Sequence, residues 1–194
     1  MSRERRSLAV FNFTDRGKKT ALRLRERMGQ SGRFTFTLYD CRFCMEPVGK
    51  VVERIFGETD VLIFIGAAGI AVRLIAPFIK DKRTDPAVLV IDERGTYVIP
   101  VLSGHIGGAN TLAGKAAEVL GAVPVITTAT DLNRAFAVDV FASENEMAIE
   151  DMRLAKEMSA AVLRGEKIGF FSDFAVDGCM PREMTPGIWQ NMNL

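Results

Sequence analysis

Apolar residues in this chain fall into two kinds of run. Short runs at Leu8–Phe13, Phe34–Leu38, Val61–Ile65, Val88–Ile91, Thr96–Val101 and Val123–Ile126 read as strands. The segments between them carry helical spacing. Val48–Phe56 places Val48, Val51, Val52, Ile55 and Phe56 on one face. Arg16–Met28 has an imperfect stripe of Ala21, Leu22, Leu24 and Met28, with Asp15 as its expected cap. Ile70–Phe78 is a short helix, and Ala109–Leu120 is a longer one closed by Gly121. Val61–Ile65 is continuously apolar rather than alternating, as a strand is when both faces of a parallel sheet are covered.

Strands alternating with helices define an α/β class. The expected architecture is a mostly parallel open sheet with helices on both faces. One β-hairpin turns at Asp92-Glu93-Arg94-Gly95, and a small α/β appendage follows the sheet. The character changes near residues 139–145, which divides the chain into an N-terminal domain, 1–140, and a central region, 141–194. The second part offers the short apolar run Phe136–Phe141, an amphipathic helix Ala148–Leu163 ending at Gly165, and a strand Lys167–Phe171. Residues 177–194 show no periodicity.

Three strands run straight into loops of small and polar residues. Val61–Ile65 leads to Gly66-Ala67-Ala68-Gly69. Tyr97–Val101 leads to Ser103-Gly104-His105-Ile106-Gly107-Gly108-Ala109-Asn110. Val123–Ile126 leads to Thr127-Thr128-Ala129-Thr130-Asp131. Such loops allow backbone to approach a ligand closely and aim N–H groups at anionic oxygens. Ligands of open α/β sheets bind beyond the carboxyl ends of the strands. Gathering all three loops on one rim requires Thr96–Val101 to run parallel to Val61–Ile65, with Val88–Ile91 antiparallel. That arrangement is the expectation. It brings Lys80-Asp81-Lys82-Arg83 to the ligand rim and sends Asp92 and Glu93 to the far one.

Composition narrows the function classes. The net charge is +1, so no global field argues for nucleic acid. No apolar run approaches the ~20 residues that span a bilayer. Leu8-Ala9-Val10-Phe11 is soon interrupted by Asn12 and Asp15, so the N-terminus reads as a first strand rather than a signal peptide. A cytoplasmic protein without a membrane partner is expected. Arg3-Glu4-Arg5-Arg6 reads as a solvated tail. Cys41 and Cys44 form a Cys-x-x-Cys pair, but no second pair completes a zinc site, and Cys179 is remote. Reduced thiols without a metal or redox role are expected.

Four blocks carry a resemblance. Gly66-Ala67-Ala68-Gly69-Ile70-Ala71-Val72-Arg73 comes first, then Lys80-Asp81-Lys82-Arg83-Thr84-Asp85-Pro86. Ser103 through Asn110 and Ile126 through Asp131 follow. In this order they resemble the cobalamin biosynthesis protein CbiG family, the cobalt-precorrin-5A hydrolases. Residues 136–173, with Ile168-Gly169-Phe170-Phe171-Ser172-Asp173, resemble that family's central region. The resemblance implies opening of a δ-lactone on a cobalt-bound, contracted tetrapyrrole, with release of acetaldehyde. Cobalt then arrives in the substrate, and no cofactor is expected. Family members continue into a C-terminal domain, which this chain is expected to lack. A separate C-terminal domain or other corrin-pathway enzymes are the implied partners.

Lactone opening is acyl transfer to water and calls for a base and for oxyanion donors. His105 is the chain's one histidine, a residue type whose ordinary pKa of ~6.5 suits that role. Ser103 offers a hydroxyl as donor or nucleophile, and Asp131 is the alternative base. Water is the favoured nucleophile, because a base two residues from a serine rarely aligns with it. The N–H groups of Gly107, Gly108 and Ala109 are the expected anion donors. Arg73, Lys80, Lys82 and Arg83 can pair with substrate carboxylates. Gly66, Ala67, Gly69, Gly104, Asn110, Thr127, Thr128 and Thr130 complete the expected binding surface. Two other readings stay open: a non-catalytic corrinoid-binding subunit, and a phosphate- or nucleotide-binding α/β enzyme.

Overall fold

Two strands buried along their whole length, β3 (Val61–Ile65) and β4 (Ala87–Ile91), form the centre of the sheet. The computed structural model describes residues 5–105, 107–129, 136–145, 147–176 and 179–187. The other strands of the main sheet are β1 (Arg6–Asn12), β2 (Phe34–Asp40), β5 (Tyr97–Leu102) and β6 (Val123–Pro124). Their order is β2-β1-β3-β4-β5-β6. The β1–β2, β1–β3, β3–β4 and β5–β6 pairs are parallel, and β4–β5 is antiparallel. The sheet is therefore mostly parallel, with one hairpin.

Helices cover both faces, and the two-residue period of the strands divides the core between them. Leu8, Val10, Ile63, Ile65, Leu89 and Ile91 point to one face, beneath α1 (Asp15–Gly29) and α4 (Ala109–Leu120). Ala9, Phe11, Leu62, Phe64, Val88 and Val90 point to the other, beneath α2 (Val48–Ile55) and α3 (Ala68–Ile75). Each fully buried Val, Leu, Ile or Phe side chain in these layers contributes roughly 1.5–3 kcal/mol of transfer free energy. Phe11 stacks between Tyr39 and Phe64, with centroid separations of 4.8 and 4.9 Å.

The strand directions correct one expectation. β4 is parallel to β3, and β5 is the reversed strand. The reason is local. Residues 66–86 contain α3 and a 3-10 turn, Ala76–Phe78, and a helix between neighbouring strands returns the chain to the starting end. The hairpin then reverses β5. Asp92 shapes that turn by accepting from the N–H groups of Arg94, Thr96 and Tyr97 at 3.1, 2.7 and 2.6 Å. Gly95 takes the left-handed φ of 72° that the turn needs. Burial alone would raise the Asp92 pKa, but the N–H groups of Tyr97, Thr96 and Arg94 outweigh it and lower the pKa.

Other elements differ in detail. Thr14, not Asp15, caps α1, accepting from Gly17 N–H at 3.0 Å. The chain divides into two compact units, Met1–Ile126 and Thr127–Leu194. The second unit contains α5 (Val138–Glu144), α6 (Met152–Leu163), and parallel strands β7 (Ile168–Phe170) and β8 (Met184–Pro186). β8 lies in a segment whose sequence shows no periodicity, because three residues are too few to display one. Asp151 caps α6 through the N–H groups of Arg153 and Leu154, and the helix begins later than Ala148. Among the described residues, no helix is long and apolar enough to cross a membrane.

Candidate functional site

The antiparallel β5 separates two loops that were expected to share a rim. Gly66–Gly69 follows β3 at the carboxyl end of β1, β3 and β4. The Ser103–Asn110 loop follows β5 and therefore lies at the opposite end of the sheet. A single site containing both His105 and Gly69 is overturned. Lys80–Arg83 does share the His105 rim, since it precedes β4. Asp92 and Glu93 lie on the Gly66 rim, where Thr14 Oγ1 donates to Glu93 at 2.9 Å.

The His105 rim is built by local backbone demands. Ser103 is buried and adopts φ 56°, the left-handed region. Its hydroxyl donates to the Asp85 carbonyl at 3.0 Å, tying the loop to the end of the cationic run. In this conformation the Ser103 proton is engaged in that bond. The turn then closes on itself. Gly108 N–H donates to His105 O at 2.8 Å, Ala109 N–H to Ser103 O at 3.1 Å, and Asn110 N–H to Gly104 O at 2.9 Å. The N–H groups of Gly108 and Ala109, expected as anion donors, are thus used inside the loop. Leu112 N–H is bonded to Gly108 O. Of the first four amides of α4, only Thr111 has no described hydrogen bond, and its side chain is exposed.

Two of the loop's glycines are required by contact. A Cβ on Gly107 would lie 2.5 Å from Ser103 Cβ and 2.8 Å from Ser103 O. One on Gly104 would lie 2.9 Å from Asn110 Oδ1, and Asn110 is itself buried. Arg6, at the start of β1, reaches across to donate from Nη2 to Gly107 O at 2.8 Å. The Arg-rich run had suggested only a solvated tail. No local pattern could reveal this link, because the two residues are 101 positions apart.

The cations are placed unequally. Arg83 forms a two-pronged pair with Asp81, 3.0 Å from Nε and 2.9 Å from Nη2. That guanidinium lowers the Asp81 pKa to about 2, and Asp81 in turn raises that of Arg83. Lys80 and Lys82 are exposed, and the charge of Lys82 adds to the lowering of the Asp81 pKa. Arg73 is exposed in the last turn of α3. Thr127 and Thr128 are the first residues of the second unit. Thr130 and Asp131 lie outside the described residues.

The opposite rim holds the other half of the expected residues. Gly66 sits against Phe13, where an added Cβ would lie 3.1 Å from the ring, whereas nothing lies within 4 Å of one on Gly69. Ala67 caps α3 without a side-chain bond. Asp40 accepts from Arg42 and pairs with Lys18, and these cations hold its carboxyl far below the usual carboxylate range. Asn12 is buried with its Nδ2 donating to Tyr39 O, and its Oδ1 has no described partner. Cys41, Cys44 and Cys179 are free. Burial pushes the Cys41 thiol up to about 12, which disfavours the thiolate that redox or metal chemistry needs. Among the described residues, no group of three His, Cys, Asp or Glu is arranged to hold a metal.

The fold defines an open, mostly parallel α/β sheet with a histidine-bearing glycine loop on one rim and a small second α/β unit. Residues 50–131 match the family described as Cobalamin synthesis G N-terminal, and residues 136–186 match Cobalamin biosynthesis central region. The cobalt-precorrin-5A hydrolase of Salmonella typhimurium is 40% identical over 178 residues, covering 86% of this chain and 48% of that protein. That of Priestia megaterium is 46% identical over 121 residues, covering 62% of this chain and 32% of that protein. A solved cobalamin biosynthesis protein G homolog from Sulfolobus solfataricus shares the fold, with a TM-score of 0.59 at 23% identity, covering 92% of this chain and 52% of its own. The chain belongs to the CbiG family, of which it carries the N-terminal and central regions. It spans about half the length, or less, of these curated relatives.

Proposed function

We propose that this chain takes part in the cobalt-precorrin-5A hydrolase reaction and that the His105 rim is where it does so. The reading is carried by one observation: the sole histidine stands in a loop clamped between α4 and the Lys80–Asp85 turn, in a chain of this family. In the proposed reaction His105 takes a proton from water as the water adds to the lactone carbonyl. The ring oxygen leaves as an alkoxide and becomes the aldehyde C=O as the carbon–carbon bond to the macrocycle breaks. The electron pair passes to the macrocycle carbon, that carbon takes the proton from His105, and the two-carbon unit departs as acetaldehyde. The Thr111 N–H is the first-turn amide of α4 available to the developing oxyanion. Lys80 and Lys82 pair with carboxylates of the macrocycle. Arg83 can do so only by exchanging Asp81 for substrate. Cobalt enters as part of the substrate. The other half of the family's length, on this polypeptide or a separate one, would contribute to the complete enzyme.

Acetaldehyde release, followed with a coupled reductase in a preparation that includes the remaining family sequence, tests the reading. His105→Ala should slow release by ~10²–10⁴-fold, the usual contribution of a general acid or base. Lys82→Ala should weaken corrinoid binding more than it lowers turnover at saturation, because it contacts a group already charged in the ground state. Near-normal turnover by His105→Ala would return the histidine to a loop-building role. The half-length match favours one further reading, a corrinoid-binding part whose catalytic groups lie elsewhere. Unchanged turnover in His105→Ala together with weakened binding in Lys82→Ala would select it.

A further inference from the structure

Arg6 is a half-buried residue at the first position of β1, and its guanidinium ends on the loop that carries His105. The contact falls on one particular peptide unit. The carbonyl of Gly107 accepts from Arg6 Nη2 at 2.8 Å, and the N–H of the same unit, on Gly108, donates to His105 O at 2.8 Å. One peptide plane is therefore held at both ends, and rotating it would break both bonds. The guanidinium also packs over Gly108, whose added Cβ would lie 3.2 Å from Arg6 Nη1. Gly108 sits at φ 74°, a conformation open to glycine and costly to other residues. Hydrogen bonds from a charged donor are stronger than neutral ones. The turn's other described backbone bonds are neutral amide–carbonyl pairs.

We propose that Arg6 is a positioning residue: it sets the Gly107–Gly108 peptide plane and, through it, the backbone of His105. Arg6 acts through that peptide and not on substrate. The catalytic consequence rests on the reading of His105 given above, whereas the positioning itself does not. A strand from the far side of the sheet's centre thereby supports the turn that presents the imidazole.

The single histidine makes the test direct, because the imidazole gives one Cε1–H resonance with no assignment ambiguity. Amide hydrogen exchange at Gly108 reads the clamped bond itself. Arg6→Gln should speed Gly108 exchange by roughly tenfold or more, in line with loss of a charge-assisted bond, and should shift the His105 resonance. Exchange at the core positions Val10 and Ile63 should stay as in the wild type. Arg5→Gln, at the exposed neighbour, should change none of these. Arg6→Lys keeps the charge but lacks the planar fork. It should still speed Gly108 exchange at least ~3-fold, and it decides the matter if the glutamine variant does not fold. Wild-type Gly108 exchange and an unmoved His105 resonance in a folded Arg6 variant would overturn the proposal. In the acetaldehyde assay Arg6→Gln should lower kcat with KM unchanged. If His105→Ala has no effect there while Gly108 still responds to Arg6, the positioning stands and the catalytic reading falls.

Discussion

The two rims of the sheet carry loops that look alike in sequence and differ in what their glycines do. At the Gly66 rim, Gly69 has open space where a side chain would be, and only Gly66 is close to a neighbour, the Phe13 ring. At the His105 rim, Gly104 and Gly107 are pressed against Asn110 and Ser103, and three amides close the turn on its own carbonyls. The general rule for open α/β sheets favours the first rim, since the order β2-β1-β3 places the switch point at the carboxyl ends of β1 and β3. The chemistry favours the second, which has the histidine and the cationic run. A rigid turn that needs glycine for its own packing holds a side chain in place. A loop with room to spare does not.

The largest expected contrast is catalytic. If the chemistry belongs to the His105 rim, His105→Ala should lose ~10²–10⁴-fold in acetaldehyde release. Gly69→Ala at the other rim should leave release within about twofold, given the empty space beside it. Equal losses in the two variants would break the comparison. Stability should separate the same loops by a smaller amount. Gly107→Ala forces a Cβ into contact with Ser103 and should cost ~1–3 kcal/mol in urea unfolding. Gly69→Ala, inside α3, should be neutral or gain up to ~1 kcal/mol.

Ser103 sharpens the picture further. Its left-handed φ costs a non-glycine residue ~1–2 kcal/mol, while its hydroxyl satisfies the Asp85 carbonyl. Ser103→Ala keeps the strain and loses the bond, so it should be destabilising. Ser103→Gly loses the bond but relieves the strain, so it should be the more stable of the two by about 1 kcal/mol. Equal midpoints for the two variants would show that the left-handed turn stores no strain.

The smallest effects concern the carboxylates of the two rims. Asp81 on the His105 rim and Asp40 on the Gly66 rim both have lowered pKa values, through Arg83 and through Arg42 with Lys18. A carboxylate depressed in the folded state contributes stability above its ordinary pKa of ~3.9, and that stability is lost as pH falls through the folded value. For Asp81 the window runs from near pH 4 down to about 2. Asp81→Asn should flatten the acid-side loss of stability within it. Asp40→Asn should flatten it more, because Arg42 and Lys18 both pair directly with that carboxylate, whereas only Arg83 pairs directly with Asp81. The opposite order in unfolding midpoints measured across this pH range would show that Lys18 adds nothing to the two-pronged pair that each carboxylate makes with its arginine.

Much of this protein is determined by sequence alone. The apolar runs mark β1 through β6 and helices α1 through α4, since a period of 2 or 3.6 is a local property of backbone geometry. Gly121 closes α4 at φ 67°, and four short blocks carry the family. Strand direction was also available locally. A helix between Ile65 and Ala87 makes β3 and β4 parallel, and grouping loops by chemical likeness led away from that inference. Other features belong only to the tertiary structure. Arg6 on Gly107, Ser103 on Asp85 and Arg83 on Asp81 each depend on which polar group a donor finds once the strands have been brought together. Composition cannot distinguish a glycine that leaves room for a ligand from one that leaves room for its own chain. The distinction lies in contacts between residues far apart in sequence, and only the folded sheet brings those together.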